Sequence, residues 1–158
     1  VQSHSTPQTE HSRVLLAESA HWLLVRVTEA DWDRYPAYYR LIAKQHVQEL
    51  SELSVTQRQQ MMAWMARIDA LLVESFRPAK INWASFGNVV PHLHWHAIVR
   101  DRDDAHFPAP IWAAPARDGA AAAARWNERL PAADQALQAL GGRGRRQGAA
   151  RGAQTASG

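Results

Sequence analysis

Pro91-His92-Leu93-His94-Trp95-His96-Ala97-Ile98-Val99-Arg100 is the stretch whose reading decides the fold. Histidines alternate with apolar residues through its first half, and an apolar run follows. Two residues is the β-strand period, in which successive side chains point to opposite faces. Leu93, Trp95 and Ala97 are therefore expected to face a core, and His92, His94 and His96 to line the other face. Alternate residues on a strand stand about 6.6 Å apart and the outer pair about 13 Å, from a rise near 3.3 Å per residue.

A row of imidazoles can hold structure, bind a metal, or act as nucleophile and acid/base groups near neutral pH. Zinc takes nitrogen ligands at about 2.0–2.1 Å in a tetrahedron. Three histidines in a flat row do not meet that need. Two neighbours would need Asp, Glu or a distant His from another strand, because the chain has no cysteine. A metal-binding protein is thus the second reading, after a nucleophilic one.

The pattern His-φ-His-φ-His-φ-φ, where φ is apolar, resembles the histidine-triad (HIT) superfamily of nucleotide hydrolases and transferases. The lead-in Lys80-Ile81-Asn82, followed by Gly87-Asn88-Val89-Val90-Pro91, is similar to that family's segment before its triad. Arg102-Asp103-Asp104-Ala105-His106-Phe107-Pro108 onward to Trp112 resembles a bacterial branch described as diadenosine tetraphosphate hydrolase-like. The resemblance spans roughly residues 22–112. It implies an α+β fold of the HIT type, with an antiparallel sheet of about five strands, one long packed helix and a peripheral C-terminal helix.

It also implies a mechanism. His94 would attack the α-phosphorus of a nucleotide and form a covalent nucleotidyl-histidine, which water then hydrolyses. His92 would orient His94, and His96 would contact the phosphate and assist the leaving group. Asn82 and Asn88 would hydrogen-bond phosphate or ribose, Asp31 or Asp33 would hold ribose hydroxyls, and His46, in Lys44-Gln45-His46, would support the triad from behind. The substrate would be a dinucleoside polyphosphate or an AMP-phosphoramidate. No cofactor is required by this chemistry, although polyphosphates commonly carry Mg²⁺. A homodimer is expected from the family, with no membrane and no specific nucleic acid as partner. Two departures stand out. Tyr38 occupies a position where many members have histidine, so that residue's orienting contact is expected to be altered or absent. Val89 stands where several carry Ser or Thr, a loss worth about 1.5–3 kcal/mol of phosphate stabilisation. A non-catalytic nucleotide-binding module is the remaining alternative.

The rest of the chain fits around this stretch. The length of 158 residues suits one domain. No apolar run approaches the roughly 20 residues that span a bilayer, no signal-peptide pattern opens the chain, and cytoplasmic is the default location. Net charge is +3, but Arg143, Arg145, Arg146 and Arg151 lie beyond residue 140 with no acid among them. Removing those four charges leaves −1 on residues 1–140, which argues against a dedicated nucleic-acid-binding domain.

Residues 1–12 read as a mobile polar extension, 13–116 as the HIT-like domain, 117–140 as an Ala-rich helical extension broken near Pro131, and 141–158 as a disordered Gly/Arg tail. Residues 14–20 form either a strand or a helix. Trp22–Val27 and Tyr38–Ala43 read as an antiparallel strand pair. Ser54 and Gln57 form a capping box before a helix whose Met61, Met65, Ile68, Leu72 and Phe76 recur on one face. Gly87 beside Asn88 is a turn where phosphate can approach backbone N–H groups. Arg100 or Arg102 is a candidate for neutralising a polyphosphate. Asp101-Arg102-Asp103-Asp104 reads as a solvent-facing turn without the features of a calcium loop. Phe107–Trp112 reads as an extended, proline-punctuated arm over the site or at a subunit interface.

Overall fold

The computed structural model describes residues 12–150, with side chains up to residue 142. Five strands, Arg13–Glu18 (β1), Trp22–Val27 (β2), Tyr38–Ala43 (β3), Lys80–Ala84 (β4) and His94–Arg100 (β5), form one antiparallel sheet. Their order is β1-β2-β3-β5-β4, so the histidine strand lies inside the sheet with β3 on one side and β4 on the other. Residues 14–20, undecided from sequence, supply the edge strand β1 and the turn after it. The expected α+β architecture is the one observed.

The helix Val55–Phe76 (α1) begins as its sequence dictates. The Gln57 backbone N–H donates to Ser54 Oγ at 3.1 Å, and the Ser54 N–H donates to Gln57 Oε1 at 2.9 Å. This reciprocal box satisfies two N–H groups that the first turn leaves unpaired. Met61, Met65, Ile68, Leu72 and Phe76 are the buried stripe, each stabilising by about 1.5–3 kcal/mol relative to exposure. Arg77 ends the helix at φ 46°, a left-handed cap, rather than in the extended form usual before proline.

The second helix, Ala120–Ala150 (α2), runs through Pro131 and past Gly141, where the sequence reads as a break and then a tail. Proline removes one backbone hydrogen bond. The buried face of Ala122, Trp126, Ala133, Leu137 and Leu140 continues on both sides of it and holds the helix together. Gly141 lets α2 approach β1: a Cβ there would lie 3.5 Å from the Glu18 carbonyl oxygen. Gly119 starts the helix at φ 72°, and a Cβ there would meet the Ala105 nitrogen at 2.6 Å, so no other residue fits without movement. Residues 1–11 of the proposed extension and 151–158 of the proposed tail lie outside the described residues.

Both helices cover the same sheet face. Trp95 Nε1 donates to Met61 Sδ and Trp83 Nε1 to Asp69 on α1, while Arg26 pairs with Asp134 on α2. The opposite face carries the histidines. The turn 101–104 differs from its expected exposure: Asp104 is fully buried against Arg100, and Asp101 accepts from Trp126 Nε1 and Arg125. Arg100, two residues beyond Ile98 on the histidine face, needs a counter-charge once covered. Among the described residues no helix is long and apolar enough to cross a membrane.

Candidate active site

The histidine face opens into a groove of about 1090 Å³, lined by Ser12, Arg13, Glu29, Arg40, Ile42, His46, residues 86–92, His94, His96 and Trp112. Its floor is set by register. Arg40 is the Cα partner of His96, and Ile42 that of His94, so Tyr38, Arg40 and Ile42 share the triad face.

His92 lies just before β5 rather than within it. Its Nε2–H donates to the Ala43 carbonyl, and a carbonyl only accepts. His92 Nδ1 is then an acceptor, and it faces His46 Nδ1 at 3.2 Å, which donates. The structure thus places His46 in contact with His92 behind the triad.

The same logic fixes the middle histidine. His94 Nδ1 lies 2.6 Å from the His92 backbone carbonyl, so Nδ1 carries the proton and Nε2 keeps its lone pair. Ser85 Oγ donates to the His94 carbonyl at 2.7 Å and holds the start of the strand.

His96 is buried, and its Nδ1 lies 2.8 Å from the Tyr38 hydroxyl. Of the two outcomes expected at Tyr38, an altered contact or none, the structure has the altered one: a phenol meets the His96 ring. Burial first, then the neighbouring His94 and Arg40, push the His96 imidazole down to about 4. Burial pushes the Tyr38 hydroxyl up, while Arg40 opposes that rise. A cation beside the phenol draws its oxygen, so the O–H points to His96 Nδ1 and Nε2–H is left for the groove. His96 is therefore a neutral donor near pH 7.

Aromatic rings close one side of the triad. The His94 and His96 rings meet edge-on at 4.9 Å, and His96 lies 5.4 Å from Trp112 and 5.9 Å from Phe86. Trp112 and Phe86 contact each other at 4.9 Å. The arm that carries Trp112 thus reaches the site within the same chain.

The other anticipated residues separate into two groups. Gly87, at φ 74°, and Asn88 line the groove, with Val89 almost fully exposed beside them. Asn82 lines an adjoining hollow with Phe86 and Trp112, and its Oδ1 accepts from Arg100 at 2.7 Å. Arg100 does not reach the groove: Asp104 and the Ala109 carbonyl also hold its guanidinium. Asp31 lies on an exposed 3₁₀ turn outside the lining, whereas Glu29 at the head of that turn lies within it. Glu29, Arg40, Ser85 and Phe86 went unnoticed in the sequence. The alternation of Tyr38, Arg40 and Ile42 was a usable signal for Arg40, but only once β3 is known to pair with the histidine strand. Among the described residues, no three His, Asp or Glu side chains converge as metal ligands.

With the geometry in hand, the family model of the HIT domain matches residues 8–103. Among solved structures, a histidine triad protein from Marinobacter aquaeolei is 25% identical with a TM-score of 0.63, over 84% of this chain and 90% of that one. One from Bradyrhizobium japonicum is 25% identical with a TM-score of 0.61, over 80% and 89%. A third, from Sinorhizobium meliloti, is 24% identical with a TM-score of 0.59, over 76% and 91%. No curated protein matches the chain.

Proposed function

This chain belongs to the HIT domain family, and from that premise we propose that it is a nucleotide hydrolase or nucleotidyl transferase acting through a covalent nucleotidyl-His94 intermediate. The observation that carries the proposal is the bond from His94 Nδ1 to the His92 carbonyl. In the neutral ring it places the proton on Nδ1 and so assigns Nε2 as the nucleophilic nitrogen.

In the first step the Nε2 lone pair forms a bond to the α-phosphorus, and the bond to the leaving group breaks with its electron pair. The His94 ring becomes cationic, and the His92 carbonyl accepts more strongly from its Nδ1–H. His96 Nε2–H hydrogen-bonds the departing atom, with Tyr38 as the positioning residue behind it; a phosphate leaves as its anion, and an amine leaves neutral after its nitrogen takes a proton from solvent. Water then attacks phosphorus, the P–N bond returns its pair to Nε2, and the water proton goes to solvent. Gly87 and Asn88 line the groove where non-bridging oxygens are held. Dinucleoside polyphosphates and AMP-phosphoramidates are the proposed substrates, the former arriving with Mg²⁺. Homodimerisation and a cytoplasmic location are part of the same proposal and rest on family resemblance.

The test is intact-mass spectrometry, quenched early, with AMP release followed in parallel. Wild type mixed with diadenosine polyphosphate or AMP-phosphoramidate should gain the mass of one nucleotidyl group and release AMP. His94→Ala should do neither. AMP release that persists in His94→Ala would remove His94 as the nucleophile. Nucleotide binding without adduct or turnover would favour a binding module.

A further inference from the structure

Three arginines on the sheet are held very differently. Asp134 grips Arg26 at Nε (3.1 Å) and Nη2 (2.8 Å). Asp104, Asn82 and the Ala109 carbonyl together surround Arg100. Arg40 has one ion pair among the described residues, from Nη1 to Glu29 Oε1 at 3.1 Å, and its cation also lies beside the Tyr38 hydroxyl. Its Nε is buried without a partner among the described residues.

A guanidinium offers five N–H donors and accepts nothing. Arg40 therefore has donor capacity that its own fold leaves unused, in the groove that holds the triad. One face is fixed against Tyr38, whose ring centroid lies 5.3 Å from the guanidinium carbon. The Glu29 partner is single-contact and 38% exposed, the kind of pair that holds weakly in water. An anion with several oxygens can replace it, and a phosphate matches the planar fork well. A phosphoryl group at His94 neighbours His96, and Arg40 is the register partner of His96 on the next strand.

We propose that Arg40 recognises a second phosphate of the substrate, beside the α-phosphate that His94 attacks, and that Glu29 is the counter-ion it leaves on binding. The inference rests on the nucleotide reading of the site and makes nucleotides with at least two phosphates the more tightly bound of the proposed substrates. The second phosphate sits either further along the anhydride chain or on the ribose, and the same guanidinium serves both. Arg100, one of the two cations that the sequence offered for a polyphosphate, is excluded from this role by its buried partners.

The experiment uses calorimetry on full-length His94→Ala with AMP, ADP, adenosine 2′,5′-bisphosphate and adenosine 3′,5′-bisphosphate, without magnesium. One two-phosphate ligand should bind roughly 10- to 100-fold more tightly than AMP. Tightening by ADP assigns the anhydride chain, and tightening by a bisphosphate assigns the ribose. Adding Arg40→Gln should bring that ligand to within about threefold of AMP, Arg40→Lys should keep part of the gain, and Glu29→Gln should enlarge it. The gain should shrink as salt rises, because the pair is partly exposed. A second-phosphate gain that survives Arg40→Gln, or no gain in any ligand, overturns the inference while leaving the nucleotidyl mechanism untouched. Absence of binding by every nucleotide, AMP included, overturns both.

Discussion

One face of β5 carries His94 and His96 at its start and Arg100 at its end, yet the two ends are different environments. At the start, polar atoms face a groove: His94 Nδ1 is bonded to the His92 carbonyl, and the neighbouring Arg40 has one partly exposed ion pair and an Nε without a partner among the described residues. At the end, segment 101–112 folds over the strand. Asp104 accepts from Arg100, from the backbone N–H groups of His106 and Phe107, and from the Tyr35 hydroxyl. Burial would raise the Asp104 carboxyl, but these donors hold it below its ordinary value. A fully hydrogen-bonded buried pair anchors structure, whereas incompletely bonded groups in a cleft are available for a ligand. The difference is made by what covers the strand, not by the strand.

Substitutions at the two ends should therefore fail in opposite ways. His94→Ala is expected to reduce nucleotidyl-adduct formation by at least ~10³-fold, about 4 kcal/mol in barrier. Its unfolding free energy should stay within about 1 kcal/mol of wild type, since only one hydrogen bond is lost. Asp104→Ala strands a buried guanidinium and should lower stability by about 3–5 kcal/mol, seen as a melting temperature depressed by roughly 10 °C or more. Equal loss of adduct and stability in either variant would erase the contrast between the ends.

The sequence alone carried one half of this contrast well. Local signals were readable because they act over a few residues: the Ser54–Gln57 box, the stripe from Met61 to Phe76, and the alternation through His96. Long-range pairing was not. Arg40 and Arg100 both have the period that puts them on the histidine face, and only the β3–β5 register and the covering arm decide which one meets the groove. Tyr38 was recognised as a departure, but a phenol reaching His96 requires the same register. The α2 face was legible in part, since Trp126, Ala133, Leu137 and Leu140 keep steps of seven, four and three across Pro131. The proline outweighed that pattern in the reading, while in the fold the burial of those side chains outweighs the proline.

The buried His96 makes the open end sensitive to acid. Its folded pKa, about 4, lies below the unfolded value near 6.5, so the folded state resists taking a proton. The stability it contributes is complete above pH 6.5, falls as pH drops from 6.5 towards 4, and levels off below. The full difference is on the order of 3 kcal/mol. Burial and Arg100 also lower His106, so the test is a difference. Wild type and His96→Gln should diverge in their pH dependence of denaturant midpoints between pH 6.5 and 5, with the variant flatter. Identical slopes would mean that His96 takes up protons freely in the fold.

Tyr38→Phe sharpens the comparison within the groove. It removes the partner of a buried imidazole nitrogen, and we expect about 1–3 kcal/mol of lost stability. A merely structural role would slow all substrates alike. If Tyr38 positions His96, the rate loss should instead grow as the leaving group becomes poorer, about tenfold more for an alkylamine phosphoramidate than for a good phosphate leaving group. The acid limb of the rate profile should also shift. A uniform loss across leaving groups would reduce Tyr38 to packing.

The smallest expected effect is at Ser85, and its smallness is the point. Its hydroxyl donates to the His94 carbonyl at 2.7 Å, as short a bond as that from Arg100 to Asp104. Distance alone would rank the two alike. Ser85 is exposed, however, so in Ser85→Ala water can take over the freed carbonyl oxygen, and only the net value of a neutral hydrogen bond is lost, about 0.5–1.5 kcal/mol. Where Asp104 is removed no water can enter, and the desolvated charge remains. Chemical denaturation of Ser85→Ala should accordingly show a loss several times smaller than that of Asp104→Ala, with adduct formation reduced no more than a few-fold. A Ser85→Ala loss as large as that of Asp104→Ala would mean that the start of β5 is as sealed as its end, and that access of solvent is not what separates the chemistry from the anchor.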